Sequence, residues 1–165
     1  MPLKPPLDPQ GRCSATPIAA RKSARWAFFF FGTLMDPDVL QLVLGRKVSD
    51  ADLASARLHG WRRVRTAREP YPTLVRDPSG VVEGICLLRA GRGDERRIRH
   101  FENEEYAERW MTVQAERGGP VRARVFFAAP ELGTTEELWT LEGWRRAHKS
   151  VYLEECRAWM QACPH

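Results

Sequence analysis

Six consecutive apolar residues run from Trp26 to Phe31 with no polar side chain among them, the pattern of a strand buried on both faces. Gly32-Thr33-Leu34-Met35 follow, and Asp36-Pro37-Asp38 then opens a stretch that carries Val39, Leu40, Val43 and Leu44 and closes on Gly45. Asp as N-cap, Pro at the first helical position and Gly at the end predict a helix over 36–45. Residues 53–67, with apolar Leu58, Trp61 and Val64, read as mostly extended. Tyr71–Val75 and Val81–Leu88 read as two short strands joined by a turn at Asp77-Pro78-Ser79-Gly80, a hairpin of their own. A brief helix is predicted over 94–101, where Ile98 and Phe101 share a face, and a second hairpin over 106–114 and 121–129 around Gly118-Gly119-Pro120. Residues 135–160 carry Leu138, Leu141, Trp144, Val151, Tyr152, Cys156 and Trp159 at helical spacing, one closing amphipathic helix or two.

The predicted order, β-α-β-β-β-α-β-β-α, lacks the alternating βαβ units of a doubly wound sheet. It points to an α+β fold with a small curled or barrel-like sheet and helices at its margins. Residues 1–25, with five prolines and no sustained apolar period, are expected to form a flexible basic leader, and 26–165 a single domain. The leader's Arg, Ala and Ser also suit an organelle transit peptide, against which its opening prolines argue.

Composition narrows the classes. With 165 residues, 43% of them hydrophobic, the chain buries about two-thirds of its unfolded surface and needs neither disulfide nor metal to fold. No apolar run approaches a membrane-spanning length. Most of the +5 net charge comes from Lys4, Arg12, Arg21, Lys22 and Arg25 in the leader. The body is nearly neutral, which is not the footprint of a dedicated nucleic-acid binder. Its arginine clusters, Arg62, Arg63, Arg65 and Arg68, and Arg96, Arg97 and Arg99 beside Glu102, Glu104, Glu105 and Glu108, are expected to be solvated and mutually neutralised. Cys13, Cys86, Cys156 and Cys163 show no C-x-x-C spacing and read as free thiols in a reducing compartment, Cys86 as a small core residue. The expected location is cytoplasmic.

Candidate chemistry is sparse. His100-Phe101-Glu102 has an H-x-E look without the Cys ligands of a zinc deaminase. His59, His100, His148 and His165 share no ligand spacing, so no metal site is expected. Gly91-Arg92-Gly93 is not a dinucleotide loop. Two features remain. The turn Gly32-Thr33-Leu34, between a buried strand and a capped helix, gathers backbone amides that suit a carboxylate or a developing oxyanion. Glu102, at the end of a short helix beside Phe101, is placed for desolvation to raise its pKa and make it a proton shuttle.

Together these features resemble a known family. Phe31-Gly32-Thr33-Leu34 is similar to the Tyr-Gly-Ser/Thr-Leu loop of the γ-glutamylcyclotransferase-like proteins. Tyr71-Pro72-Thr73-Leu74 resembles their Tyr-Pro-x-Leu, and Val82-Glu83-Gly84 their Val-x-Gly. Phe101-Glu102-Asn103-Glu104-Glu105-Tyr106 resembles their Phe-Glu-Gly-x-x-Tyr. Trp139, Trp144, His148 and Tyr152 resemble the tail of the branch named for plant avirulence-induced genes, which also covers γ-glutamylamine cyclotransferases. The resemblance spans about Phe28 to Tyr152. It implies a small mixed β-barrel flanked by helices, no cofactor and no metal. It implies a small-molecule γ-glutamyl substrate, with neither nucleic acid nor membrane as partner, in a monomer or weak dimer. The implied reaction is intramolecular aminolysis: the substrate's α-amine attacks its own γ-glutamyl carbonyl and frees 5-oxoproline and an amine. Glu102 is the implied catalytic residue, and Phe31, Gly32, Thr33, Leu34, Tyr71, Pro72 and Tyr106 the implied substrate-binding set. Two positions depart from the pattern. Phe31 stands where the family has Tyr, and Asn103 where it has Gly, the latter a residue that tolerates positive φ. Phe31 favours the alternative, a non-catalytic binding protein of the same fold, whereas a nucleic-acid-associated barrel using the Arg62–Arg68 cluster is the weaker third reading.

Overall fold

The computed structural model describes residues 26–165; the expected leader and Cys13 lie outside the described residues. Among these, six strands and three α-helices follow the order β1 (Trp26–Phe30), α1 (Pro37–Leu44), β2 (Leu53–Thr66), β3 (Pro72–Ala90), α2 (Arg92–Glu102), β4 (Tyr106–Ala115), β5 (Gly119–Ala128), β6 (Thr134–Leu138) and α3 (Leu141–Gln161). The sheet order is β3-β1-β5-β4-β2-β6, and β3 also pairs with β2. β3, β1, β5, β4 and β2 therefore close on themselves as a five-stranded barrel, with β6 appended to β2. β1 and β5 run parallel and the other pairs antiparallel. The fold is mixed α+β, a small barrel flanked by helices.

The apolar run 26–31 is explained by two cores. Phe29 and Phe31 join Leu58, Trp61, Leu74, Val113 and Val125 in a cluster built from the strands and the residue that ends β1, the barrel interior. Phe28 and Phe30 point the other way and meet Leu40 and Val43 of α1, Ile98 of α2, and Trp144 and Cys156 of α3. With alternate side chains buried on opposite faces, β1 has no position left for a polar residue.

Helix α1 starts and stops where the sequence predicts. Asp36 accepts from the amides of Asp38 (3.0 Å) and Val39 (3.4 Å), Pro37 opens the first turn, and Gly45 ends it at φ 67°. Helix α2 is held at both ends. Asp94 accepts from the Gly91 amide (3.0 Å) and takes a two-pronged contact from Arg46 at 2.9 and 2.7 Å. At the far end Asn103 adopts φ 49°, the only non-glycine positive φ among the described residues, so Asn at this position keeps the turn available to the family's Gly.

Three expectations are corrected. Residues 71–88 do not form a hairpin of their own: β3 is one continuous strand whose two halves both pair with β2, from Leu53↔Leu87 to Arg65↔Pro72. The Asp77-Pro78-Ser79-Gly80 signal is real but local. The Asp77 carboxylate accepts from the Ser79 amide and hydroxyl, and the turn bulges out of β3 opposite Gly60, between Trp61↔Arg76 and His59↔Val81. Gly80 lies so close to Trp61 that a Cβ would come within 2.4 Å of its carbonyl oxygen. The reversal occurs instead at 67–71, where the Thr66 amide donates to the Tyr71 carbonyl at 2.9 Å and the Thr66 hydroxyl to the Glu69 carbonyl at 3.0 Å. The closing segment is not helical throughout. Residues 134–138 form β6, pairing Leu138 with Val64, and the helix begins only after Thr140, which caps the Gly143 amide at 3.1 Å.

The third correction concerns the arginines. Arg62 and Arg65 are neutralised as expected, by Glu136 and Glu137 at 3.2 and 2.8 Å, and so is Arg99, by Glu108 at 3.0 Å. Arg97 instead donates to the Val43 carbonyl at 2.6 Å and so satisfies the end of α1. Arg63 turns beneath the loop after β1. Cys86, Cys156 and Cys163 are free and buried, and no helix among the described residues is long and apolar enough to cross a membrane.

Candidate functional site

The end of β1, the loop behind it, the start of β3, the end of α2 and the middle of α3 enclose a cavity of about 100 Å³. It is lined by every residue that the sequence proposed for the site: Phe31, Gly32, Thr33, Leu34, Tyr71, Pro72, Glu102 and Tyr106. These come from four separate segments of the chain. The lining also includes Phe30, Phe101, Asn103, Glu105, Phe126 and Tyr152, which sequence reasoning had not assigned to the site. All three tyrosines of the chain therefore reach this one space. Tyr152 was legible as a member of the inner stripe of α3, four residues from Cys156 and eight from Trp144, but its hydroxyl's destination was not.

The loop 31–36 is tight. The amides of Met35 and Asp36 turn back to the carbonyls of Gly32 (2.9 Å) and Thr33 (3.0 Å), whereas those of Gly32, Thr33 and Leu34 have no acceptor among the described residues. Pro72 sits against Gly32, where a Cβ would lie 3.0 Å from the proline Cγ. A side chain here would press on Pro72, the second wall of the pocket, and glycine lets the two walls meet without that contact. The Thr33 hydroxyl lies 3.4 Å from that of Tyr152, whose ring packs edge-on against Tyr71 and Trp144. Behind the loop, Arg63 donates to the Phe31 carbonyl at 2.8 Å.

Helix α3 is pinned to this loop by charge. Asp36 is fully buried and takes Arg145 Nε at 2.7 Å and Lys149 Nζ at 2.9 Å. Burial pushes its carboxyl upward, but the hydrogen bonds from Lys149 and Arg145 outweigh that and hold it below the ordinary carboxylate range.

Glu102 stands in the opposite condition. As the last residue of α2 it projects from a helix end into the cavity. Among the described residues its carboxyl has neither a hydrogen-bond donor nor a cation, and burial pushes it up to about 8. Burial and neighbouring carboxylates likewise push Tyr71 up to about 12. Tyr106 and Tyr152 are also raised by burial, so all three hydroxyls stay protonated and can donate. The arrangement offers a carboxyl that is mostly protonated at neutral pH yet exchanges its proton within about a unit of it, three phenol donors, and a row of amides without acceptors among the described residues. That combination serves a proton transfer beside an anionic or polarised carbonyl group. Among the described residues no group of three or more His, Cys, Asp or Glu side chains is gathered to hold a metal ion.

Comparison with known proteins gives the family and the fold. The family described as "Gamma-glutamyl cyclotransferase, AIG2-like" matches residues 28–146. The chain belongs to that family. AIG2-like protein A of Arabidopsis thaliana is 26% identical over 136 residues, covering 81% of this chain and 80% of the relative. A solution structure of an Arabidopsis thaliana protein superposes with a TM-score of 0.55 at 25% identity, covering 83% of this chain and 91% of that one. A structure titled "Gamma-glutamyl cyclotransferase" shares the fold with a TM-score of 0.53 at 12% identity, covering 86% and 89%. Family and fold are thus those of cyclotransferase-type enzymes.

Proposed function

We propose that this protein is a γ-glutamyl cyclotransferase-type enzyme that releases 5-oxoproline and a free amine from a γ-glutamyl amine or amide. The observation that supports this most is Glu102: a single unpaired carboxyl, raised to about 8 by burial, in the same cavity as the unoccupied amides of 32–34. The α-ammonium of such a substrate must lose a proton before it can attack. The Glu102 carboxylate accepts that proton and the α-nitrogen bonds to the γ-carbonyl carbon. Glu102 returns the proton to the leaving nitrogen as the bond from that nitrogen to the carbonyl carbon breaks. The second proton that the α-nitrogen sheds in becoming the lactam N–H passes by the same carboxylate to the released amine, which departs as an ammonium. A carboxyl with a pKa near the working pH serves both transfers. The amides of Gly32, Thr33 and Leu34, with Tyr71, Pro72 and Tyr106, bind the glutamyl part in the folded conformation. Because the nucleophile is tethered to the carbonyl that it attacks, holding that conformation lowers the barrier by as much as about 7–11 kcal/mol.

Phe31, in place of the family's Tyr, favours the second reading, a binding protein that keeps the pocket without turnover. The assay that separates them is 5-oxoproline release from γ-glutamyl amino acids, ε-(γ-glutamyl)lysine, glutathione and simple γ-glutamyl amines, run beside Glu102→Gln. Release that disappears in the variant supports the enzyme. Silence across the panel from a folded protein that still binds these compounds supports the binding protein.

A further inference from the structure

Arg63 belongs to the cluster that composition assigns to a solvated surface, yet its surroundings are those of a working residue. It lies two positions from the inward-facing Trp61 on β2 and opposite Leu74 on β3, so strand alternation turns it toward the barrel rather than to solvent. Among the described residues it forms no ion pair. Its Nη1 donates to the Phe31 carbonyl at 2.8 Å, with the Glu83 carbonyl at 3.4 Å and the Met35 sulfur at 3.5 Å, and its guanidinium lies 5.3 Å from the centre of the Trp139 ring. Trp139 in turn donates to the Pro70 carbonyl at 2.8 Å, one residue before Tyr71. The cation thus sits where the two walls of the cavity are joined.

The Phe31 carbonyl and the Gly32 amide are two ends of one peptide group. The described residues contain no cis peptide bond, so these ends point in opposite directions. A cation bound to the oxygen therefore leaves the N–H facing away from it, and Gly32 is a cavity-lining residue whose amide has no acceptor. Hydrogen bonding at the oxygen also polarises the peptide and makes its N–H a stronger donor. We propose that Arg63 is a positioning residue for the carboxylate of the ligand. It fixes the plane of the Phe31–Gly32 peptide, strengthens the Gly32 donor and places an otherwise unpaired positive charge one peptide behind the bound anion. Asp36 and Asp38 close the other side of the loop but are answered by Arg145 and Lys149, which leaves Arg63 as the uncommitted cation next to these amides. The proposal rests on the reading of 32–34 as the glutamyl-binding loop.

The test uses glutarate, an unreactive dicarboxylate of glutamyl length, titrated into the full chain and followed at the backbone amides by NMR. In the unsubstituted protein the Gly32 and Thr33 amides shift and saturate. In Arg63→Met the dissociation constant rises about tenfold and the Gly32 amide moves upfield even without ligand, whereas Arg63→Lys stays within about threefold. Should Arg63→Met fail to fold, Arg63→Gln, which keeps a donor without the charge, takes its place with the same expected loss. Equal affinity in Arg63→Met, equal losses in Met and Lys, or no response of Gly32 and Thr33 in the unsubstituted protein overturns the proposal. Glutarate binding that depends on Arg63 while no γ-glutamyl compound is turned over sinks the enzymatic reading and leaves Arg63 in its role.

Discussion

Two carboxyl groups close to the same loop have opposite surroundings. Asp36 caps α1 and is fully buried, with two backbone amides, an arginine and a lysine around it; its charge is held. Glu102 ends α2 in a cavity of aromatic rings and finds no partner among the described residues; its charge is opposed. Burial alone therefore does not decide what an acid does in this protein. The number of donors arranged around it does. Asp36 uses its charge to dock α3 on the loop, while Glu102 keeps a proton that it can exchange at neutral pH.

The contrast can be broken most severely at Glu102 itself. Glu102→Gln is expected to lower 5-oxoproline release by about 100- to 10,000-fold with ligand binding retained, as measured by steady-state kinetics and titration side by side. In the unsubstituted enzyme kcat/KM is expected to rise with pH and level off above about 8, where the carboxylate form predominates.

The next effect falls on the other acid. Asp36→Asn keeps a capping oxygen but strands Arg145 and Lys149, which are partly exposed, and should cost about 2–3 kcal/mol in urea unfolding. Since the folded-state pKa of Asp36 is depressed, its contribution is complete above the ordinary carboxylate value and is lost as pH falls through the folded one. The difference between variant and parent should shrink on acidification.

Glu102 should show the reverse slope. Its folded-state pKa, about 8, lies above the ordinary 4.5, so it costs the folded state nothing below about 4.5 and increasingly more up to about 8. Glu102→Gln should therefore be the more stable protein at pH 8, by up to about 4 kcal/mol less what burying the Gln amide costs. That gain should vanish near pH 4.5, as followed by thermal unfolding across the range. Parallel slopes for the two acids would contradict the contrast.

Tyr152→Phe should have the smallest effect. It removes one hydroxyl at 3.4 Å from Thr33 and leaves the ring packing intact. We expect a stability change below about 1 kcal/mol and a loss of turnover under tenfold. A larger kinetic loss would make the Tyr152 hydroxyl a group that the reaction itself uses.

How far the sequence reached depended on whether its signals were local. Asp36, Pro37 and Gly45 marked both ends of α1 because a cap acts on amides two or three residues away. Gly118-Gly119 marked the β4–β5 turn for the same reason, each with positive φ. Asp77-Pro78-Ser79-Gly80 shows the limit of such signals. Its hydrogen bonds formed as expected, but whether they reverse a chain or bulge a strand depends on β2, which pairs with both sides of them. Residues 134–138 read as helix because Leu138 fits a helical stripe; pairing with β2 made them a strand.

The sequence by itself determined the alternating burial of 26–31, the caps of α1, the glycine loop and the helix that ends at Glu102, since each follows from stereochemistry over a few residues. It also carried the three motifs that the pocket unites, at 31–34, 71–74 and 101–106. Only the tertiary structure decided that Glu102 has no partner, that Asp36 has several, and that Arg63 lies beneath Phe31 instead of in solvent. Those outcomes depend on which distant side chains occupy the surrounding space, and closing the barrel and docking α3 is what brings residues 36 and 145, 31 and 63, or 33 and 152 within hydrogen-bonding distance.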